Sequence, residues 1–162
     1  MPAEHERASA PVGMARDGAD ERELAIDRAV RALAHRDHSS AALRAKLDRT
    51  GLSEEAQTDA VETLKRIGYL DDVRFARDRA VLLAGRGYGD EWIRADLDAQ
   101  GVDVETAAAS VAALEPEDER ADRVAAASEH AERLLRRLAR RGFSEETIER
   151  VAAALHADGS KE

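Results

Sequence analysis

The chain has no cysteine. That excludes disulfides, zinc–thiolate sites and thiol nucleophiles, and it fits a reducing compartment. Aromatic residues make up only 3% of the sequence against 43% apolar residues overall, so the apolar content is mostly Ala, Leu and Val. Such a composition favours closely packed helices over a sheet, which would draw on β-branched and aromatic side chains. Proline occurs only at Pro2, Pro11 and Pro116, outside every periodic segment, so no helix is expected to be broken internally. No apolar run reaches the ~18 residues needed to cross a bilayer, and the first residues carry no apolar signal core. The expectation is a soluble, cytoplasmic protein without membrane contact. Cations are outnumbered, 25 Lys and Arg against 34 Asp and Glu, for a formal net charge of −9, so non-specific attraction to nucleic acid is expected to be weak. Lysine occurs only at Lys46, Lys65 and Lys161, which leaves nearly all positive charge to arginine.

What is present is helical grammar, clearest in Gly68-Tyr69-Leu70-Asp71-Asp72-Val73-Arg74-Phe75-Ala76. Gly68 closes one helix in the left-handed conformation. Tyr69 and Leu70 are expected to turn into a core, and Asp71 or Asp72 to cap the next helix. Val73, Ala76, Ala80 and Leu83 then fall at helical spacing, with Phe75 and Leu82 widening the apolar face.

The same grammar runs along the chain. Residues 1–20 show no periodic face and are expected to form a disordered tail. A first set, 21–68, carries Ile26, Ala29, Val30 and Leu33, then Leu43 and Leu47 behind a cap at Ser39 or Ser40, then a helix capped by Ser53. A second set, 69–115, follows the central joint. Gly85-Arg86-Gly87-Tyr88-Gly89 is its first turn, Asp90 its next expected cap, and Val104, Ala107, Ala108, Val111 and Leu114 the inner face of its last helix. A third set, 116–158, opens at Pro116, and 159–162 is a tail. Leu43, Leu47, Gly51, Leu52, Ser53 match Ile93, Leu97, Gly101, Val102, Asp103, and match again Leu134, Leu138, Gly142, Phe143, Ser144. Three occurrences of one frame, apolar-x3-Leu-x3-Gly-apolar-cap, point to an internal repeat. The expected fold class is all-α: tandem three-helix repeats forming an elongated, curved array.

With these motifs in view the chain resembles the RecX family, regulators of the bacterial RecA recombinase. The resemblance is carried by Ala32-Leu33-Ala34 with His38-Ser39 and Leu43, by the Gly68 to Ala76 run, by Gly89 with Ile93, Leu97 and Gly101-Val102, and by Arg140-Arg141-Gly142-Phe143-Ser144. It spans about residues 24 to 156. Gly68, Tyr69, Leu70, Asp71, Asp72, Phe75, Gly101, Gly142 and Phe143 are its structural positions. The resemblance implies binding to RecA and to the RecA–DNA filament, inhibition or modulation of ATP hydrolysis, filament extension and strand exchange, and no cofactor or catalytic residue. Weak or indirect nucleic-acid contact and a monomeric state are expected.

Candidate contact residues fall in two groups. Arg133, Arg136, Arg137, Arg140 and Arg141 recur at helical spacing as one basic stripe, which either grips an acidic or phosphate-bearing partner or is a solvated face. Arg86, Tyr88 and Trp92 surround the glycine-rich turn, where Trp, Tyr and Arg suit an interface hot spot and equally suit ordinary packing. His35 and His38 lack the carboxylate shell of a metal site, and Asp71-Asp72 reads as a cap, so neither metal binding nor catalysis is expected. The other readings are a helical-repeat adaptor or a nucleic-acid-binding module with a different partner.

Overall fold

A computed structural model describes residues 12–127 and 130–159, with side chains from 18 to 157. Among the described residues there are nine helices and no strand. The chain divides into two compact units, one ending at Leu70 and one beginning at Asp71.

The first unit contains α1 (Val12–His35), α2 (Ser40–Asp48) and α3 (Glu54–Arg66). Ser39 caps α2, its hydroxyl accepting from the Ala42 amide at 3.0 Å, and Ser53 caps α3 through the Ala56 amide at 3.4 Å. Glu21 of α1 braces that second cap, accepting from the Ser53 hydroxyl at 2.5 Å. The face that α1 buries is built from Ala25, Ala29 and Ala32, with Ile26, Val30 and Leu33 only partly covered at its margins. Ala56 and Ala60 meet it from α3, and small side chains on both sides let two helix backbones come close. Leu43, Leu47, Val61, Leu64 and Leu70 complete the core.

Helix α1 begins at Val12, not near Asp20, so residues 12–20 are helical where the sequence suggested a tail; the remainder of that tail, 1–11, lies outside the described residues. Ala, Met and Arg are strong helix formers, and they outweigh the cost of about 1 kcal/mol at each of Gly13 and Gly18. At the other end α9 extends to Gly159, and 160–162 lie outside the described residues.

The second unit holds α4 (Asp72–Gly85), α5 (Asp90–Ala99), α6 (Val104–Ala112), α7 (Glu117–Ala126), α8 (Ala131–Arg140) and α9 (Glu145–Gly159). The expected boundary at 115/116 lies inside this unit. Helices α4–α6 enclose Phe75, Ala76, Ala80, Leu83, Ile93, Leu97, Val102, Ala107 and Val111. Helices α7–α9 enclose Ala121, Val124, Leu134, Leu138, Phe143 and Val151. Arg79 forks onto the half-buried Asp96 carboxylate, with Nη2 to Oδ1 at 2.7 Å, and ties α4 to α5.

Gly51, Gly101 and Gly142, the repeated glycines of the sequence frame, have φ of 73°, 72° and 69°. At Gly101 the chain end is satisfied twice, Gly101 N donating to Asp98 O at 2.8 Å and Val102 N to Leu97 O at 3.1 Å. This pair of reversed bonds is the Schellman closure, which the left-handed residue permits. It recurs at Gly142, and the apolar residue after each glycine is buried: Val102 at 5% exposure and Phe143 at 2%.

Gly68 closes α3 in the same way, but the plug is displaced by one residue. Tyr69 spends its amide on Leu64 O and leaves its ring 48% exposed, whereas Leu70, whose amide reaches the same carbonyl, is buried at 3%. Tyr69 therefore does not enter the core. Asp71, not Asp72, caps α4, accepting from the Arg74 amide at 3.0 Å. Val73 (63% exposed) and Leu82 (49%) also lie outside the expected apolar face, and on α6 Val104 is 80% exposed while Ser110 is buried in its place. Phe75 and Leu83 take the inner positions of α4.

Leu97→Ala should cost about 2–5 kcal/mol of unit 2 stability. Val104→Ala should stay within about 0.5 kcal/mol. Chemical denaturation followed by the fluorescence of Trp92 checks both.

Candidate functional site

In the second unit, the turn between α4 and α5 meets the joint between α8 and α9. Gly89, not Asp90, occupies the cap position of α5, and no side chain of its own caps that helix. Its free amides are met by distant residues. Gly89 N donates to Arg141 O at 2.7 Å, Glu91 N to Gly142 O at 3.1 Å, and Asp90 N to Glu117 Oε1 at 2.7 Å. A helix start that lacks its own cap is thus satisfied by the carbonyls of another helix end.

The approach is close enough to require glycine on both sides. A Cβ on Gly89 would overlap the Gly142 carbonyl and the Phe143 amide, which are backbone and cannot swing aside. A Cβ on Gly142 would stand 2.5 Å from the Trp92 amide nitrogen and 2.6 Å from its Cβ.

Asp90 has a different role from the expected cap. Its carboxylate binds Arg120 Nη2. Arg120 is 3% exposed, and its remaining donors reach Tyr88 O at 2.9 Å and Glu115 O at 3.0 Å. One guanidinium therefore joins the α4–α5 turn, the α6–α7 connection and α7. Glu117, one turn earlier, gathers four donors on one carboxylate: the Asp90 amide, the Ser144 amide at 3.1 Å, the Ser144 hydroxyl at 2.5 Å and the Thr147 hydroxyl at 3.1 Å. Burial is the largest influence on Glu117 and pushes its pKa up, but the hydrogen bonds from Ser144, Asp90 and Thr147 together outweigh it and hold the carboxyl below the usual glutamate value. Ser144 is thereby oriented as the expected cap of α9, accepting from the Thr147 amide at 3.3 Å.

Sequence reasoning missed Arg120 and Glu117. A signal was present: Glu117, Arg120, Ala121 and Val124 are spaced as one helix face, so two charges stood on the buried side of α7.

Of the candidate contact residues, the structure brings Arg86, Tyr88, Trp92 and Arg141 together. Tyr88 stacks on Trp92 with ring centroids 4.1 Å apart and 24° between planes, and the Arg141 guanidinium lies over the Tyr88 ring at 5.2 Å. Arg141 also donates to Arg86 O at 2.5 Å and Gly87 O at 3.2 Å. Arg141 is thus turned toward the α4–α5 turn and does not belong to an open stripe. Trp92 and Tyr88 pack partly buried against the α4–α6 core, and the Arg86 side chain is exposed.

The stripe that remains is Arg133, Arg136, Arg137 and Arg140, opposite Leu134 and Leu138 on α8, with Arg137 at the half-buried margin. Arg136 pairs with Glu132 one turn earlier at 3.4 Å. Among the described residues, Arg133, Arg137 and Arg140 have no ion-pair partner. Several acids of the second unit are engaged within it. Asp90 and Asp96 bind buried or half-buried arginines, Asp103 caps α6 through the Thr106 amide at 2.8 Å, and Asp118 holds Arg150 at 2.9 Å. Among the described residues, no group of three His, Asp or Glu side chains is placed to hold a metal ion, and no helix is long and apolar enough to cross a membrane.

Replacing Arg120 by Ala leaves Asp90 only its longer pairing with Arg94 at 3.7 Å and takes a donor from the Tyr88 and Glu115 carbonyls; it should cost about 1–3 kcal/mol, read as a loss in the denaturation midpoint of unit 2. The lowered Glu117 pKa sets a pH dependence as well. Its stabilisation is complete above the ordinary glutamate pKa and is lost as the pH falls from there through the lowered folded value. Acid titration of Trp92 fluorescence should show this loss, and Glu117→Gln should flatten it.

No protein-family model matches the chain. It is 40% identical over 90 residues to a regulatory protein RecX of Xanthomonas campestris pv. campestris (strain B100), a segment covering 56% of each chain. It is 38% identical over 90 residues to the regulatory protein RecX of Stenotrophomonas maltophilia (strain R551-3), covering 56% of this chain and 55% of that one. The chain thus spans little more than half the length of the curated relatives it matches. Its fold is that of a crystal structure of RecX from Lactobacillus salivarius, with a TM-score of 0.73 at 16% identity over 86% of this chain and 99% of the other. A second crystal structure, of a regulatory protein RecX, gives 0.76 at 18% identity over 92% and 81%. Over 90 residues the chain is thus similar in sequence to curated proteins named RecX, and over most of its length it has the fold of RecX crystal structures.

Proposed function

We propose that this chain is a non-catalytic, cytoplasmic regulator that binds the RecA recombinase or its DNA filament as a monomer and inhibits or modulates ATP hydrolysis, filament extension and strand exchange. The observation that carries the reading is 40% identity to a protein named regulatory protein RecX, together with an all-helical fold shared with RecX crystal structures. Contact with more than one filament subunit would interfere with subunit addition or with the motions coupled to hydrolysis.

The exposed part of the arginine stripe, Arg133, Arg136, Arg137 and Arg140, is the proposed contact. Its charges are largely uncommitted within the described residues, and electrostatic complementarity favours an acidic partner surface. The exposed Arg86 side chain and the outer parts of Tyr88 and Trp92 adjoin the α4–α5 turn and form a second proposed contact. Arg141 contributes by holding that turn. The same stripe supports a second reading, direct binding of nucleic acid phosphates, against which the net charge of −9 weighs.

The DNA-dependent ATPase rate of the cognate RecA, titrated with the protein, tests the function. A fall well below one protein per RecA supports blocked extension, a fall only near stoichiometry supports coating of the filament, and no effect at any ratio rejects the reading. Replacing Arg133, Arg136, Arg137 and Arg140 by Glu should weaken inhibition by about ten-fold or more while Trp92 fluorescence remains native. Unchanged inhibition removes the stripe from the interface. Salt-sensitive DNA affinity without RecA, abolished by the same substitutions, would favour the second reading.

A further inference from the structure

The corner between α1 and α2 holds a titratable side chain that neither proposed contact uses. His38 is 4% exposed and immediately precedes Ser39, the fully buried cap of α2. Arg36 Nε lies 3.4 Å from His38 Nε2. A guanidinium can only donate, so His38 Nε2 is the acceptor, and the ring is neutral with its proton on Nδ1. The charged groups acting on the imidazole are Arg36 and Asp37 of the same corner and Lys46 of α2. The N-terminus of α2 adds the positive end of a helix dipole. Two cations and a helix start thus face the ring against one carboxylate.

Protonation would turn Nε2 from acceptor into donor, set it against another donor, and place a new cation where water does not reach it. We infer that His38 makes the α1–α2 corner an acid-sensitive joint: on taking up a proton the imidazole leaves its buried place, and α2 loosens from the core of the first unit. The helix it releases carries Leu43 and Leu47, exposed by 0% and 1% in the closed corner. This inference is independent of the RecA reading.

The sign follows from the environment. Burial first, then the charges of Arg36 and Lys46, hold the imidazole below its ordinary value, and Asp37 opposes them. The corner is therefore fully closed above the ordinary histidine pKa and weakens as the pH falls from there toward the lowered value.

Amide hydrogen exchange of α2 in the full chain, corrected for the intrinsic exchange rate and followed from about pH 7.5 to about pH 5, tests the inference. Protection of the α2 amides should fall by up to about ten-fold per pH unit below the ordinary histidine range. His38→Gln, neutral at every pH and still able to accept from Arg36, should remove that slope. An NMR titration of the His38 ring in the unmodified protein gives a reading that does not depend on the variant folding. A slope shared equally by both proteins, or a His38 that titrates at or above the ordinary histidine value, overturns the inference.

Discussion

The second unit depends on a backbone-to-backbone contact between two helix ends. Helix α5 begins without a cap of its own, and the carbonyls of Arg141 and Gly142 accept from its first amides. Those carbonyls point outward because Gly142 takes the left-handed conformation that closes α8. Closure of one helix and initiation of another are therefore a single event. Around it, Arg120 and Glu117 supply the charges that neither end can do without, each satisfied by several partners and set on the inward face of α7. Buried charges are tolerated only when paired and fully bonded, and here their partners come from segments far apart in sequence, so the pairing also fixes how α7–α9 meet α4–α6.

This arrangement divides the arginines by role. Arg79, Arg120 and Arg141 make directional bonds to carboxylates or carbonyls within the unit. The planar fork of the guanidinium suits those tasks better than a lysine ammonium. Arg133, Arg137 and Arg140 make no such bonds among the described residues and remain for a partner. An abundance of arginine that carried no message in the composition separates, in the fold, into internal fasteners and outward charge.

The local grammar was readable. Ser39, Ser53, Asp71, Asp103 and Ser144 cap the helices they precede, and the repeated glycines close the ones before them, because capping is settled within four or five residues. The all-helical class followed from the same signals. What escaped the sequence depended on partners elsewhere in the chain. Asp90 had the spacing of a cap, but Arg120, thirty residues on, binds it instead. Val73 and Val104 had the spacing of a core face, but periodicity does not say how far the opposing helix extends. Ile26, Val30 and Leu33 had the helical spacing of a buried face with Ala29, yet close approach of α1 to α3 gives the centre of that contact to Ala25, Ala29 and Ala32. Arg141 shared the spacing of its neighbours but lies on the side of α8 that meets the α4–α5 turn.

The three sets share one sequence frame, yet they are not interchangeable modules. The place held by Gly89 ahead of Ile93 is held by Ser39 ahead of Leu43 and by His130 ahead of Leu134. Ser39 caps its own helix, and a side chain there would collide with an incoming α8–α9 joint. Within the second unit it is the missing side chain of Gly89 that admits the α8–α9 joint. If the sets arose by duplication, their order has since become fixed: a chimera that exchanged the first and second sets would preserve every cap and every left-handed glycine within each set and still lose the docking point.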